Sequence, residues 1–184
     1  GSTALAMYAR LRELHRQGKA DFSRVITFNM DEYVGLPPAH PQSYHYYMEY
    51  ELFSAVNIQV QNAHMLNGLA DDLQAECRSY EQAITKAGGI DLFIGGVGRN
   101  GHIAFNEPGT PFEERTHLVT LAPATLQANA RFFDNDISRV PTHALTVGTA
   151  TVLDARELLF MATGAVKAPA LATLAHTPNP AEPL

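Results

Sequence analysis

The sequence predicts an α/β fold, a mostly parallel sheet with helices on both faces. Two observations predict it. Short, continuously apolar and β-branched runs such as Val25-Ile26-Thr27-Phe28 and Ile90-Asp91-Leu92-Phe93-Ile94 read as strands buried on both faces. They alternate with segments of helical period, which implies βαβ crossovers. With 184 residues, 46% of them hydrophobic, the chain can bury one sizeable core. A single domain over residues 1–184 is expected.

The elements follow in order. Leu5, Tyr8, Leu11 and Leu14 repeat at helical spacing, with Ser2 or Thr3 to cap the start and Gly18 to end it. The strand Val25 to Phe28 stops at Asn29-Met30-Asp31-Glu32. Gly35 to Pro41 makes a loop, and Ser43 caps an aromatic-rich helix through Tyr47, Tyr50 and Phe53. A third helix runs from Asp71 to Ala87 on Leu73, Cys77, Tyr80 and Ile84, and Gly88-Gly89 stops it. Further strands are expected at His117 to Leu121, Ala144 to Val147 and Leu158 to Met161. The run from His176 to Pro183 has too much proline for a helix and reads as a linker.

Charge and cysteine usage narrow the function classes. Thirteen basic against 19 acidic residues give a net charge of −6, with no Lys/Arg run to track a phosphate backbone, so no nucleic-acid partner is expected. The one cysteine, Cys77, cannot form an internal disulfide, and no Cys/His cluster has zinc spacing. A cytoplasmic protein without a metal is expected. No apolar stretch reaches the roughly 18 to 20 residues of a membrane span, so no membrane partner is expected either.

Ligands of such sheets bind beyond the carboxyl ends of the strands, which singles out two segments. The first is Met30-Asp31-Glu32-Tyr33. A carboxylate where an apolar strand stops is partly desolvated and thereby a better base, although either acid could instead cap the next turn. The second is the glycine-rich turn from Gly95 to Gly109. Glycines let backbone amides approach a ligand, but this turn lacks the Lys-Ser/Thr end of a nucleotide P-loop. Within it Asn100, His102 and Glu107 are spaced so that a histidine can be held between two side-chain partners, the arrangement of an oriented general acid or base.

Together these segments resemble the glucosamine-6-phosphate deaminase family. Thr27-Phe28-Asn29-Met30-Asp31-Glu32-Tyr33-Val34-Gly35-Leu36 is similar to the family's enolisation segment. Gly98-Arg99-Asn100-Gly101-His102-Ile103-Ala104-Phe105-Asn106-Glu107-Pro108-Gly109 is similar to its ring-opening segment. The likeness continues through Asn129 to Asp134, Ala144 to Gly148, and Gly164 to Ala168. It implies a Rossmann-like sheet of the deaminase, ribose-phosphate isomerase and CoA-transferase-like group. It also implies a domain without its N-terminal strand-helix-strand unit and C-terminal segment.

The implied reaction converts D-glucosamine 6-phosphate and water to D-fructose 6-phosphate and ammonia, a step of amino-sugar breakdown. The resemblance makes His102 the ring-opening group, oriented by Asn100 and Glu107, and Asp31 the base that moves a proton from C2 to C1. No cofactor is implied, because the substrate's own nitrogen serves as electron sink. The small-molecule sugar phosphate would be held at Ser2 and Thr3 on a helix start, with Arg131 and Lys167 adding charge.

Two departures matter. Many members carry aspartate where this chain has Asn100, so the imidazolium loses one stabilising charge. Thr110, His117 and Val119 replace residues of the family's effector pocket, which implies a monomer without allosteric activation. A 6-phosphogluconolactonase-like hydrolase would follow its histidine with Thr-Ala-Ser rather than Ile103-Ala104-Phe105. A non-catalytic sugar-phosphate sensor would have no need of Asp31, His102 and Glu107 together.

Overall fold

Helix α1 (Thr3–Arg16) follows the predicted apolar spacing. It ends where Gly18 takes φ +68° and the Lys19 amide donates back to the Leu14 carbonyl at 2.8 Å. In this computed structural model, which describes residues 3–98 and 100–176, the remaining strands are β1 (Thr27–Phe28), β2 (Asp31–Tyr33), β3 (Ala63–His64), β4 (Leu92–Gly96), β5 (His117–Thr120), β6 (His143–Thr146) and β7 (Glu157–Met161). Between them lie α2 (Tyr44–Glu51), α3 (Leu73–Lys86), α4 (Pro123–Asn129) and α5 (Thr149–Leu153), and α6 (Ala168–His176) follows β7. None of the described helices is long and apolar enough to cross a membrane.

The predicted α/β class is the class found. β1 pairs in parallel with β3, and β4 with β7, while β2, β6 and β5 form an antiparallel unit in that order. The antiparallel unit goes beyond the sequence reading. Two acids and a tyrosine carry no apolar alternation, so β2 has no strand signature of its own. It forms because β6 supplies its ladder, with Asp31 opposite Thr146 and Tyr33 opposite Ala144.

The helix signals hold closely. Ser43 caps α2 by accepting the Tyr46 amide at 3.0 Å, and Asp72 caps α3 by accepting from Ala75 at 2.9 Å. α2 is shorter than predicted: it stops at Glu51, and Phe53 enters a 3-10 turn. The expectation that the apolar strands are buried on both faces fails in part. Ile26 is 46% exposed, and Leu92 and Leu159 are each 47% exposed. The cause is topological. Among the described residues β1 and β4 each pair on one side only.

β6 is the hub of the molecule. Leu145 and the following Val147 enter a core with Leu66, Cys77, Tyr80, Ile84, Phe93 and Val152. Ala144 enters a second core with Tyr33, Phe105, Leu121, Ala130, Phe133 and Val140. This two-residue alternation places Thr146 on the side of the second core, facing Asp31. The strand thus holds both predicted site segments against one buried surface.

Candidate active site

The two adjacent acids of β2 have different fates. Glu32 is 1% exposed, and its carboxylate accepts from the amides of Tyr33 at 2.8 Å, Tyr44 at 3.1 Å and His45 at 3.0 Å. It also lies 2.8 Å from His45 Nδ1. This is a buried cap on the N-terminus of α2, where amide donors and the helix dipole favour an anion. Asp31 has a single described partner, the Thr146 hydroxyl, which donates to Oδ1 at 2.6 Å. Burial therefore dominates and raises its pKa from 3.8 to about 7, with the Thr146 bond opposing the rise. The sequence left open which acid caps; the structure gives that part to Glu32.

The glycine turn brings Asn100, His102 and Glu107 together. Asn100 Oδ1 lies 2.8 Å from His102 Nδ1, and Asn100 Nδ2 donates to Glu107 Oε2 at 2.6 Å. Because an amide oxygen can only accept, the Nδ1 nitrogen carries the proton in this contact and Nε2 is left as the basic nitrogen. Glu107 Oε1 stands 3.8 Å from the same Nδ1 and accepts from Thr125 at 3.3 Å. Partial burial holds the His102 pKa below its usual value; the Glu107 charge opposes this and the Lys167 charge adds to it.

Local backbone chemistry explains the turn. Gly98 lies against the His102 ring so closely that a Cβ there would fall on the imidazole, and its amide donates to the His102 carbonyl at 2.7 Å. Ala104 takes φ +55°, an uncommon conformation for a residue with a Cβ. Two bonds to β6 and its edge hold it: the Phe105 amide donates to Thr146 Oγ1 at 3.1 Å, and Asn106 Nδ2 to the Val147 carbonyl at 2.8 Å.

The expected phosphate-binding residues are less tightly grouped. Lys167 ends a 3-10 turn, Ala165–Lys167, that leads into α6, near enough to His102 for its charge to be felt. Thr3 is the first residue of α1. Arg131 lies in the 3-10 turn Ala130–Phe132, exposed, with its guanidinium 4.6 Å from the Phe132 ring centre. Ser2 lies outside the described residues. Sequence reasoning missed Thr146, and only its place opposite Asp31 in the ladder could have revealed it.

Two cavities flank these elements. One of about 110 Å³ borders the turn, lined by His102, Asn106, Glu107, Thr110, Phe112 and Leu153 among others. A larger one, about 360 Å³, is lined by Glu81, Arg115 and Asp154. Its charged groups are engaged with one another, Arg115 with Asp154 at 2.7 Å and Glu81 with the Thr116 and Thr151 hydroxyls. Of the candidate reactive side chains, His102 and Glu107 line the first cavity.

The family described as glucosamine-6-phosphate isomerases/6-phosphogluconolactonase matches residues 1–184. Glucosamine-6-phosphate deaminase 2 of Mus musculus is 58% identical over 171 residues, 93% of this chain and 62% of that protein. Glucosamine-6-phosphate deaminase of Drosophila pseudoobscura pseudoobscura shows the same identity and coverage. The chain thus spans about 62% of the length of these curated relatives. Among solved structures, a monomeric glucosamine-6-phosphate deaminase superposes with a TM-score of 0.92 at 44% identity, covering 95% of this chain and 72% of that one. A 6-phosphogluconolactonase from Thermotoga maritima, 21% identical with a TM-score of 0.71 over 96% of this chain and 73% of its own, shares the fold. Matched over its whole length, and sharing more than half of its aligned residues with these curated relatives, the chain belongs to the glucosamine-6-phosphate isomerase and 6-phosphogluconolactonase family.

Proposed function

We propose that the protein deaminates D-glucosamine 6-phosphate, giving D-fructose 6-phosphate and ammonia with uptake of one water. The observation that carries this reading is a buried, weakly acidic Asp31 tied through Thr146 to the turn that holds His102 between Asn100 and Glu107. Identity of 58% to named deaminases over 171 residues supports the same reading. Likeness to the lactonases is one of fold alone.

The steps follow from the roles of these groups. His102 Nε2 takes the proton from the O1 hydroxyl while the C1–O5 bond breaks, and delivers it to O5. The open chain carries an aldehyde at C1, which acidifies the C2 hydrogen. Asp31 removes that proton, electrons move into the C1 carbonyl, and O1 takes a proton from the neighbouring C2 ammonium to give an enol. Returning the proton to C1 leaves a C2 iminium. Water adds at C2 and ammonia departs, leaving the ketose. Neither metal nor organic cofactor is needed, since carbonyl and nitrogen accept the electrons in turn.

Ser2 and Thr3 hold the substrate phosphate in this reading, with Lys167 and Arg131 adding charge. A protein of net charge −6 needs such a local concentration of donors to hold a dianion. The reading includes a single domain over residues 1–184 acting as a monomer in the cytoplasm. The test is direct: ammonia release from glucosamine 6-phosphate by the intact protein. Hydrolysis of 6-phosphogluconolactone without ammonia release would assign the hydrolase instead, and binding of the sugar phosphate without turnover would assign a sensor.

A further inference from the structure

The base and the ring-opening turn come from segments some 70 residues apart, yet one side chain touches both. Thr146 is fully buried, at 0% exposure, in the middle of the hub strand. Its Oγ1 accepts the Phe105 amide at 3.1 Å and donates to Asp31 Oδ1 at 2.6 Å. An amide N–H can only donate, and the hydroxyl's single proton goes to the carboxylate at 2.6 Å rather than to the Val147 carbonyl at 3.5 Å. The bond engages one carboxylate oxygen, and Oδ2 has no partner among the described residues. Asn106, next to Phe105, binds the neighbouring Val147 carbonyl at 2.8 Å, and the Val147 amide donates to Met30 at 2.8 Å. The relay is therefore braced on both sides.

We infer that Thr146 is a positioning residue for the proposed deamination: its hydroxyl fixes the rotamer of Asp31 and sets it in register with the turn bearing His102, leaving Oδ2 free to exchange a proton with C2 and C1. This inference rests on the activity proposed above. A valine at 146 keeps the shape of the side chain but leaves Asp31 without its only described hydrogen-bond donor and the Phe105 amide without its acceptor. A base misplaced by an ångström loses about 10²-fold in rate. Among the described residues, the titratable groups in electrostatic contact with Asp31 are Glu32, Tyr33, Tyr44 and Tyr80, and all are untouched by substitution at 146.

The experiment compares the intact parent with Thr146→Val, Thr146→Cys and Thr146→Ser, following ammonia release across pH. Valine is expected to lower kcat about 10²-fold with little change in KM, and to move the acid limb of kcat/KM upward by about one pH unit, because the carboxylate loses its donor. Serine is expected to recover most of the turnover and the parental limb. Cysteine has serine's shape with a poor donor, and is expected to behave like valine. It also serves in place of valine should that variant fail to fold. Equal kinetics and pH profiles for folded Ser and Cys variants overturn the inference, as does a folded, fully active Val variant. A parent that releases no ammonia overturns the proposed function itself, which separates the two failures.

Discussion

Asp31 and Asn100 show how single side chains set the chemistry. Ionising Asp31 costs the fold, since its native pKa near 7 stands above the ordinary 3.8. The native protein therefore keeps a proton that the unfolded chain gives up between about pH 4 and 7, and stability falls as pH rises through that window. Asp31→Asn removes the penalty. We expect the variant to lose deamination, retain sugar-phosphate binding, and be more stable than the parent above pH 7 by ~4 kcal/mol, a gain that vanishes below pH 4. Thermal melts at pH 4 and 8 beside an ammonia assay check all three. Near-parental turnover would make Asp31 a structural residue. Asn100 spans His102 and Glu107 because an amide both accepts and donates. Asn100→Asp cannot donate to Glu107 and sets a second carboxylate beside the ring. Both changes favour the imidazolium, so the His102 contribution to the acid limb of kcat/KM, separate from that of Asp31, moves to higher pH. Glu107→Gln should move the same limb downward. An unchanged limb in both variants would show that another group controls it.

At the scale of elements, the glycine turn and its attachment to β6 decide where the histidine sits. Gly98→Ala sets a methyl group against the imidazole and must displace one of them. Loss of about 10²-fold in kcat/KM is expected, with the melting temperature nearly unchanged. Gly88→Ala is the matching control. Gly88 ends α3 at φ +94° with open space where a Cβ would stand, so alanine there strains the backbone. It should lower stability by about 1 kcal/mol and leave the kinetics intact. The reverse pattern would mean that the Gly98 contact is not what seats the ring. The α2 cap belongs to this scale as well: Glu32 binds the first amides of α2, which spares Asp31 from that role.

For the molecule as a whole, the proposed monomer has a kinetic consequence. Thr110, His117 and Val119 stand where relatives with an effector pocket are expected to carry other residues, so the rate should rise hyperbolically with glucosamine 6-phosphate. Sigmoidal kinetics relieved by N-acetylglucosamine 6-phosphate, or a higher oligomer on analytical ultracentrifugation, would refute this. One solved deaminase that superposes on this chain with a TM-score of 0.92 is itself monomeric.

Local patterning alone determined much of this protein. Helix spacing and caps at Ser43, Gly18 and Gly88 were legible because they depend on neighbours three or four residues away. The apolar strands at Phe93 and Leu145 were legible from their runs, and His102 with Asn100 and Glu107 from one turn's spacing. Tertiary structure alone decided the rest. β2 exists only because β6 lies beside it, and the division between Glu32 as cap and Asp31 as weak acid depends on α2, which begins 12 residues later. The part given to Thr146 depends on Asp31, 115 residues away. Hydrogen-bond partners and desolvation come from whatever the fold brings within about 3 Å, and no local pattern encodes that distance.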